Sequence, residues 1–168
     1  VLLFSMVPIR KNVTEFHSKA EYSFYKTHAM MAAPIDSNII FPTAGNCDGC
    51  HGYDPQMNGM VDSYGNDVNM HDDWRTSMMA LSAKDPFWRA KVSHEVLINP
   101  ANSLELQTKC TSCHAPQGHF TAILRGAEHY TIDEMLIDTT AMDGVSCASC
   151  HIKSAENLGK EFSGEATH

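Results

Sequence analysis

Residues 108–120, TKCTSCHAPQGHF, place two cysteines and a histidine within five positions, and a second histidine follows five positions later. The core of this segment, Cys-x-x-Cys-His, occurs three times, at 47–51, 110–114 and 147–151. Together the three motifs contain all six cysteines of the chain. Because Cys-x-x-Cys-His is the attachment signature of c-type haem, the pattern predicts three covalently attached haem groups.

The chemistry of haem c explains this spacing. Haem carries two vinyl groups on one edge, and each forms a thioether with a cysteine sulfur. Cysteines three positions apart lie on the same side of a helical turn, and the next residue reaches the iron with its imidazole. The predicted attachment residues are Cys47, Cys50, Cys110, Cys113, Cys147 and Cys150. The predicted proximal iron ligands are His51, His114 and His151.

Other cysteine chemistry fits the pattern less well. A zinc ribbon pairs two Cys-x-x-Cys knuckles around one metal ion, whereas three knuckles do not divide into pairs. Zinc also gives no reason for a histidine directly after each second cysteine. A thioredoxin-like redox pair uses one such motif beside a βαβ pattern, which this sequence does not show.

The remaining histidines favour bis-histidine ligation of the irons. Seven are left after the proximal ligands are assigned: His17, His28, His71, His94, His119, His129 and His168. Two imidazole ligands give haem a low reduction potential, and a methionine in place of one raises it.

Three of these histidines are the main distal candidates. His119 follows its motif after a proline and a glycine that end the motif helix, so we expect it to bind a neighbouring haem. His94 lies on a predicted helix between two motifs, and His129 lies in RGAEHYTIDEM. For each, the alternative is a structural or surface histidine. His71, between a methionine and two aspartates, is interpreted mainly as an exposed loop residue.

The order of the motifs carries a family resemblance. Between the first two, the chain reads W-x-x-S-M-x-A-x-x-x-x-D-P-F, from Trp74 to Phe87; the later motifs read C-x-x-C-H-x-P-x-G and D-G-V-x-C-x-x-C-H. Over roughly residues 45–155 this resembles multihaem cytochromes of the cytochrome c-554 type. The resemblance implies a mostly helical chain with haems packed in close parallel or perpendicular pairs.

One position departs from that family pattern. Relatives often carry a histidine where this chain has Met79. If the family histidine is an axial ligand, Met79 replaces it and one haem has a higher potential, or that haem is left open. The alternative is that Met79, like most methionines, fills core space.

The predicted fold is mostly α with extensive loop and little or no sheet, and its core is packed with haem. Residues 1–44 contain no motif and are predicted to form an extension that docks on a neighbour, whereas 45–168 form the three-haem domain. Helices are predicted over 78–98, 101–113 and in TIDEMLIDTT (131–140). Residues 53–72, rich in glycine, asparagine and aspartate, indicate a loop.

Charge restricts the partners. Twelve basic against twenty acidic residues give a formal net charge of −8, and the absence of a basic run argues against nucleic acid. Redox partner proteins with a basic docking face are expected instead, and haems near subunit contacts in a homo- or hetero-oligomer are a further expectation. Haem attachment takes place outside the cytoplasm, which predicts a periplasmic, extracellular or cell-surface protein of a prokaryote.

Two functions follow from these observations. The first is electron transfer through three closely spaced haems, in a shuttle, a complex subunit or an extracellular wire. The alternative is the haem domain of a multihaem oxidoreductase in which one open haem acts on a small nitrogen or sulfur species. The surplus of histidines favours electron transfer, because it supplies ligands to close every iron.

Overall fold

The computed structural model describes residues 33–54, 56 and 58–154. This part of the chain is mostly helical, which confirms the prediction of a mostly α chain with little sheet. Its α-helices are α1 (Gly45–His51), α2 (Met70–Arg75), α3 (Met78–Leu81), α4 (Pro86–Ile98), α5 (Ser103–His114), α6 (Pro116–Leu124), α7 (Ile132–Ile137) and α8 (Cys147–His151). Short 3₁₀ helices lie at Pro100–Asn102 and Ala141–Asp143. Within the described residues, β-pairing is limited to two isolated bridges, Ser37 with Pro42 and Val61 with Asp67.

Helix boundaries follow local capping chemistry. The Asp85 side chain accepts a hydrogen bond from the Phe87 amide at 2.9 Å, and Pro86 opens α4, a position where its missing N–H is tolerated. The helical stretch predicted over 78–98 is therefore wrong in its continuity, because α3 ends at Leu81 and α4 begins only at Pro86. At α7, Thr131 and Glu134 form a capping box, which confirms the start of the helix predicted over 131–140. The predicted end is wrong, because α7 stops at Ile137 and Asp138 is extended.

Helices α4 and α5 form an antiparallel hairpin. Trp88 in the first turn of α4 stacks on His114 at the end of α5, with ring centroids 4.2 Å apart and planes inclined by 7°. Val92, one turn further along α4, is buried. The hairpin thus places an aromatic ring against the histidine of the second motif.

The apolar core is small and built mainly of alanine. The buried apolar residues of the described chain are Phe41, Ala44, Ala80, Ala83, Val92, Ala115, Tyr130, Met135, Ala141 and Ala148. Many larger apolar side chains are exposed instead, among them Phe87 at 85%, Leu97 at 78% and Ile137 at 87%. Alanine buries little surface, so side-chain burial contributes less to stability here than in an ordinary domain of this size.

The chain divides into two compact units, residues 1–32 and 33–168; the first lies outside the described residues. Residues 33–44, assigned from the sequence to the extension, belong to the second unit and hydrogen-bond to its helical part. The Asn38 side-chain amide donates to Gln117 O at 3.3 Å and to Thr140 Oγ1 at 2.9 Å. The boundary at 44/45 and the docking role stay predictions. In the described part of the chain, no helix has the length and apolar character needed to cross a membrane.

Candidate functional site

Each Cys-x-x-Cys-His motif is helical, and each motif helix ends at its histidine. The first motif forms most of α1, the second forms the last turn of α5, and the third forms all of α8. In every motif the first cysteine is half-buried, the second is exposed and both thiols are free. Since residues i, i+3 and i+4 share one side of a helix, the two sulfurs and the imidazole of each motif face the same way.

The first and third motifs lie side by side. Asp143, which is 2% exposed, accepts a hydrogen bond from the Ala44 amide at 2.8 Å, directly before α1. Burial, and next the neighbouring Cys47 thiol, raises the pKa of Cys147. Asp143 therefore joins the start of α1 to the segment that leads into α8, and the leading cysteines of the two motifs interact.

Gln117 ties the second motif to the same place. It lies three residues after the second motif and is fully buried. Its Nε2 donates to Pro42 O at 3.2 Å, ahead of the first motif, and to Ser146 Oγ at 2.5 Å, directly before the third. We call Gln117, Asp143 and Ser146 the polar junction, since these three side chains connect the approaches to all three motifs.

The loop after α3 makes a second connection, between the second and third motifs. His114 Nδ1 lies 3.2 Å from Ser82 O, and the Val145 amide donates to Met79 O at 3.0 Å. A carbonyl oxygen can only accept, so Nδ1 of His114 carries the proton and Nε2 keeps its lone pair. This is the tautomer that an iron-binding imidazole requires.

His119 is buried on α6, with 7% exposure. Its Nδ1 lies 3.3 Å from Thr111 Oγ1, which is itself within 3.0 Å of Gln107 O and Thr108 O. The Thr111 hydroxyl proton is directed at a carbonyl oxygen, so Thr111 Oγ1 accepts a hydrogen bond from His119 Nδ1–H. Nε2 of His119 is then left unprotonated. Burial, and next the charge of Lys109, lowers the pKa of His119, which favours the neutral, ligating form.

His71 is the residue that sequence reasoning missed. It lies on α2 and is 3% exposed, so its interpretation as an exposed loop residue is wrong. The available signal was Asn69, whose side chain caps α2 by accepting from the Asp72 amide at 2.8 Å; an asparagine followed by acidic residues marks a helix start.

The ring nitrogens of His71 have distinct surroundings. Nδ1 lies 3.0 Å from Asp48 Oδ1, close enough for an electrostatic contact but poorly aligned for an N–H···O hydrogen bond. Nε2 is buried and has no hydrogen-bond partner within the part of the chain that the structure describes.

The other candidates lie in less enclosed positions. His94 is exposed on α4 beside Glu95. His129 is half-buried, with Nδ1 3.5 Å from Thr108 Oγ1, and Met79 is 51% exposed. The histidines His17, His28 and His168 lie outside the described residues.

The loop after the first motif borders a cleft of about 240 Å³ beside Cys50, lined also by Gly49, Tyr53 and Met60. Asp54, on the same loop, accepts backbone hydrogen bonds from residues 56, 58 and 59, which lower its pKa. Its carboxylate therefore organises the loop that was predicted here.

Compared with protein-family models, with curated proteins and with solved structures, the chain matches none. Among residues 33–54, 56 and 58–154, no three His, Cys, Asp or Glu side chains are grouped as in a site for a bare metal ion. Haem requires less of the side chains, because the porphyrin supplies four ligands and the protein adds one or two axial ones.

Proposed function

We propose that this chain is an electron-transfer protein that carries three covalently attached c-type haems. The observation that carries the proposal is that the segments beside the three Cys-x-x-Cys-His helices are hydrogen-bonded to one another, through the polar junction and the contacts of Met79 and Ser82. Motifs separated by 63 and 37 residues in the sequence are thereby linked in the fold. When bound, haem supplies the one-electron redox chemistry, and the chain sets the order and spacing of the three groups.

The residues present fit haem c at each motif. Each thiol would add across a vinyl group, with sulfur bonding to one carbon and hydrogen to the other, so no oxidant would be consumed. The exposed second cysteine of each motif leaves this reaction accessible. At the second motif, Ser82 O holds the proton on His114 Nδ1 and so presents Nε2 to iron.

The composition of the core also supports haem packing. A chain that buries mainly alanine and exposes phenylalanine, leucine and isoleucine has apolar surface to place against a large planar group. Haem c would cover part of that surface at each motif, as in the haem-packed architecture predicted from the sequence.

For the distal ligands, burial and tautomer favour His119. His94, His129 and Met79 stay predicted ligands, and their exposed or half-buried positions leave them able to meet a haem. Bis-histidine ligation sets low potentials, which suits a carrier rather than an oxygen-binding or catalytic haem. The resemblance to cytochromes of the c-554 type stays a proposal, and it depends on the sequence motifs described above.

The net charge of −8, with two propionates added by each haem, favours redox partners with a basic docking face. Export to the periplasm or the cell surface follows from the site of haem attachment. Association of haems across a subunit contact remains part of the proposal. Exposed apolar residues such as Phe87 would be buried by such a contact.

Mass spectrometry and spectroscopy of the purified holoprotein test the proposal. The mass should exceed that of the chain by three haems, and all three should be low-spin in EPR. The reduced protein should not bind CO. A colourless folded protein would refute the proposal, and a high-spin haem that binds CO would instead favour the oxidoreductase reading.

The His119→Ala variant tests the distal ligand. It should convert one low-spin haem to high-spin while the mass still shows three haems. His94→Ala tests a second predicted ligand by the same measurement. If His119→Ala leaves every haem low-spin, His119 is not a ligand.

A further inference from the structure

We propose that His71 is an axial iron ligand, binding through Nε2 to the haem attached at the third motif. This inference rests on the proposed function, because it requires haem at that motif. It adds a ligand that sequence reasoning set aside, on evidence from the structure alone.

The first observation is the buried, unpartnered Nε2. A buried polar nitrogen without a partner costs about 1–3 kcal/mol, and buried side-chain polar atoms usually have a partner. His71 is 3% exposed, so bulk water does not satisfy this nitrogen. A bond to iron would satisfy it, whereas a purely structural role leaves it unexplained.

The second observation is a repeated arrangement. Asp48 is the residue directly after the first cysteine of motif one, and its Oδ1 lies 3.0 Å from His71 Nδ1. Thr111 is the residue directly after the first cysteine of motif two, and its Oγ1 lies 3.3 Å from His119 Nδ1. Each buried histidine therefore has Nδ1 beside the same position of a motif, through a hydrogen bond at His119 and an electrostatic contact at His71, and Nε2 is left for a metal.

The helix geometry directs His71 away from the haem of the motif that anchors it. In α1, Asp48 lies one residue from Cys47 and so about 100° around the helix from it. The sulfurs and imidazole of the motif occupy a different side. A histidine held on the flank of α1 thus faces a neighbouring haem, as expected for His119.

Contacts of α2 identify that neighbour as the third motif. Trp74, one turn after His71, donates its indole N–H to Val145 O at 2.8 Å, two residues before Cys147. Asp143, which leads into the same motif, accepts a hydrogen bond from the Ala44 amide at 2.8 Å, directly before α1. Helices α1 and α2 and the third motif are therefore neighbours.

Asp48 is then a positioning residue. The Asp48 carboxylate lies 3.0 Å from Nδ1, and its negative charge beside the imidazole would favour the oxidised iron and so lower its potential. Asp48→Asn keeps an oxygen in place but removes the charge, so one haem should become easier to reduce without a change of spin state.

EPR and redox titration of the holoprotein test the inference. His71→Ala should convert one low-spin haem to high-spin, and added imidazole should restore it. His71→Met should keep that haem low-spin with a raised potential, because methionine ligation raises the potential relative to histidine. A structural histidine would give neither response. Retention of three low-spin haems in His71→Ala, without imidazole, would overturn the inference.

A double variant checks which haem is involved. Cys147→Ala with Cys150→Ala removes the third attachment, and the mass should show two haems. Adding His71→Ala to that background should leave both remaining haems low-spin. A new high-spin signal there would contradict the assignment to the third motif. If the wild-type mass shows no haem, the proposed function fails. If three haems are present and the His71 variants leave the EPR spectrum and the potentials unchanged, only this inference fails.

Discussion

Replacing Asp143 by alanine should destabilise the protein, because the carboxylate connects two motif helices from a buried position. The residue is 2% exposed, and Ala44, whose amide it accepts at 2.8 Å, is 1% exposed. Removing the acceptor leaves a buried N–H without its partner, which costs about 1–3 kcal/mol. Ala44 is also the N-cap of α1 and has no side-chain cap of its own.

The matched variant is Asp143→Asn, which keeps an acceptor oxygen and loses the charge. Burial raises the pKa of Asp143 above its ordinary value of 3.8, so the fold disfavours the ionised form. A carboxyl of this kind contributes most to stability below its ordinary pKa, and that contribution is lost as the pH rises through the folded pKa. Asp143→Asn should therefore be close to wild type at neutral pH. The wild type should gain stability relative to this variant as the pH is lowered.

Guanidinium denaturation of the holoproteins, followed by far-UV circular dichroism, measures these differences through the midpoint and slope. Asp73→Ala, at an exposed position on α2, is the surface control and should stay within about 0.5 kcal/mol of wild type. The reasoning is refuted if Asp143→Ala loses no more stability than Asp73→Ala. It is also refuted if Asp143→Asn is as destabilised as the alanine variant at neutral pH.

Three further predictions follow from single contacts. Gly144→Ala should lower the free energy of unfolding by more than about 1 kcal/mol, because φ is +72° and a Cβ would lie 2.6 Å from a carbonyl oxygen. The control is Gly49→Ala, in a helix with open space around the added Cβ, which should be neutral or stabilising by up to about 1 kcal/mol. Equal effects of the two substitutions would contradict this account. Thr111→Val removes the hydroxyl beside His119 Nδ1 and should raise the potential of one haem in a redox titration, so unchanged potentials would argue against His119 as a ligand. Trp88→Leu removes the ring stacked on the second motif histidine and should alter the EPR signal of one haem only, whereas a change in all three would show general unfolding.

Local chemistry explains what the sequence could predict. The Asp85–Pro86 start and the Thr131–Glu134 capping box depend on residues within four positions of each other, so these helix starts are encoded locally. The Cys-x-x-Cys-His spacing is equally local, and its helical conformation is borne out by the structure. His71 was misassigned because the two aspartates that follow it suggested an exposed loop, whereas the Asn69 cap indicated a helix.

The convergence of the motifs depends on contacts that no local pattern reveals. The Asp143–Ala44 hydrogen bond spans 99 positions, and Gln117 reaches Pro42 across 75. Glutamine and aspartate are ordinary surface residues in most sequences, so nothing in their local context marks them as fully buried. Their role follows only from tertiary structure.

Polar and apolar residues contribute differently to the interior of this chain. Apolar contacts are non-directional and tolerate sliding, and a core made largely of alanine holds its helices only loosely in register. Hydrogen bonds from buried groups are directional, and a buried donor or acceptor left without a partner destabilises the fold. The polar junction therefore fixes how α1, α6 and α8 are oriented, where alanine packing alone would allow several arrangements. For a protein proposed to carry electrons between three haems, the distance and angle between attachment sites determine function. It follows that a variant can keep its helices and all three haems and still lose electron transfer, if the polar junction no longer holds the motifs in place.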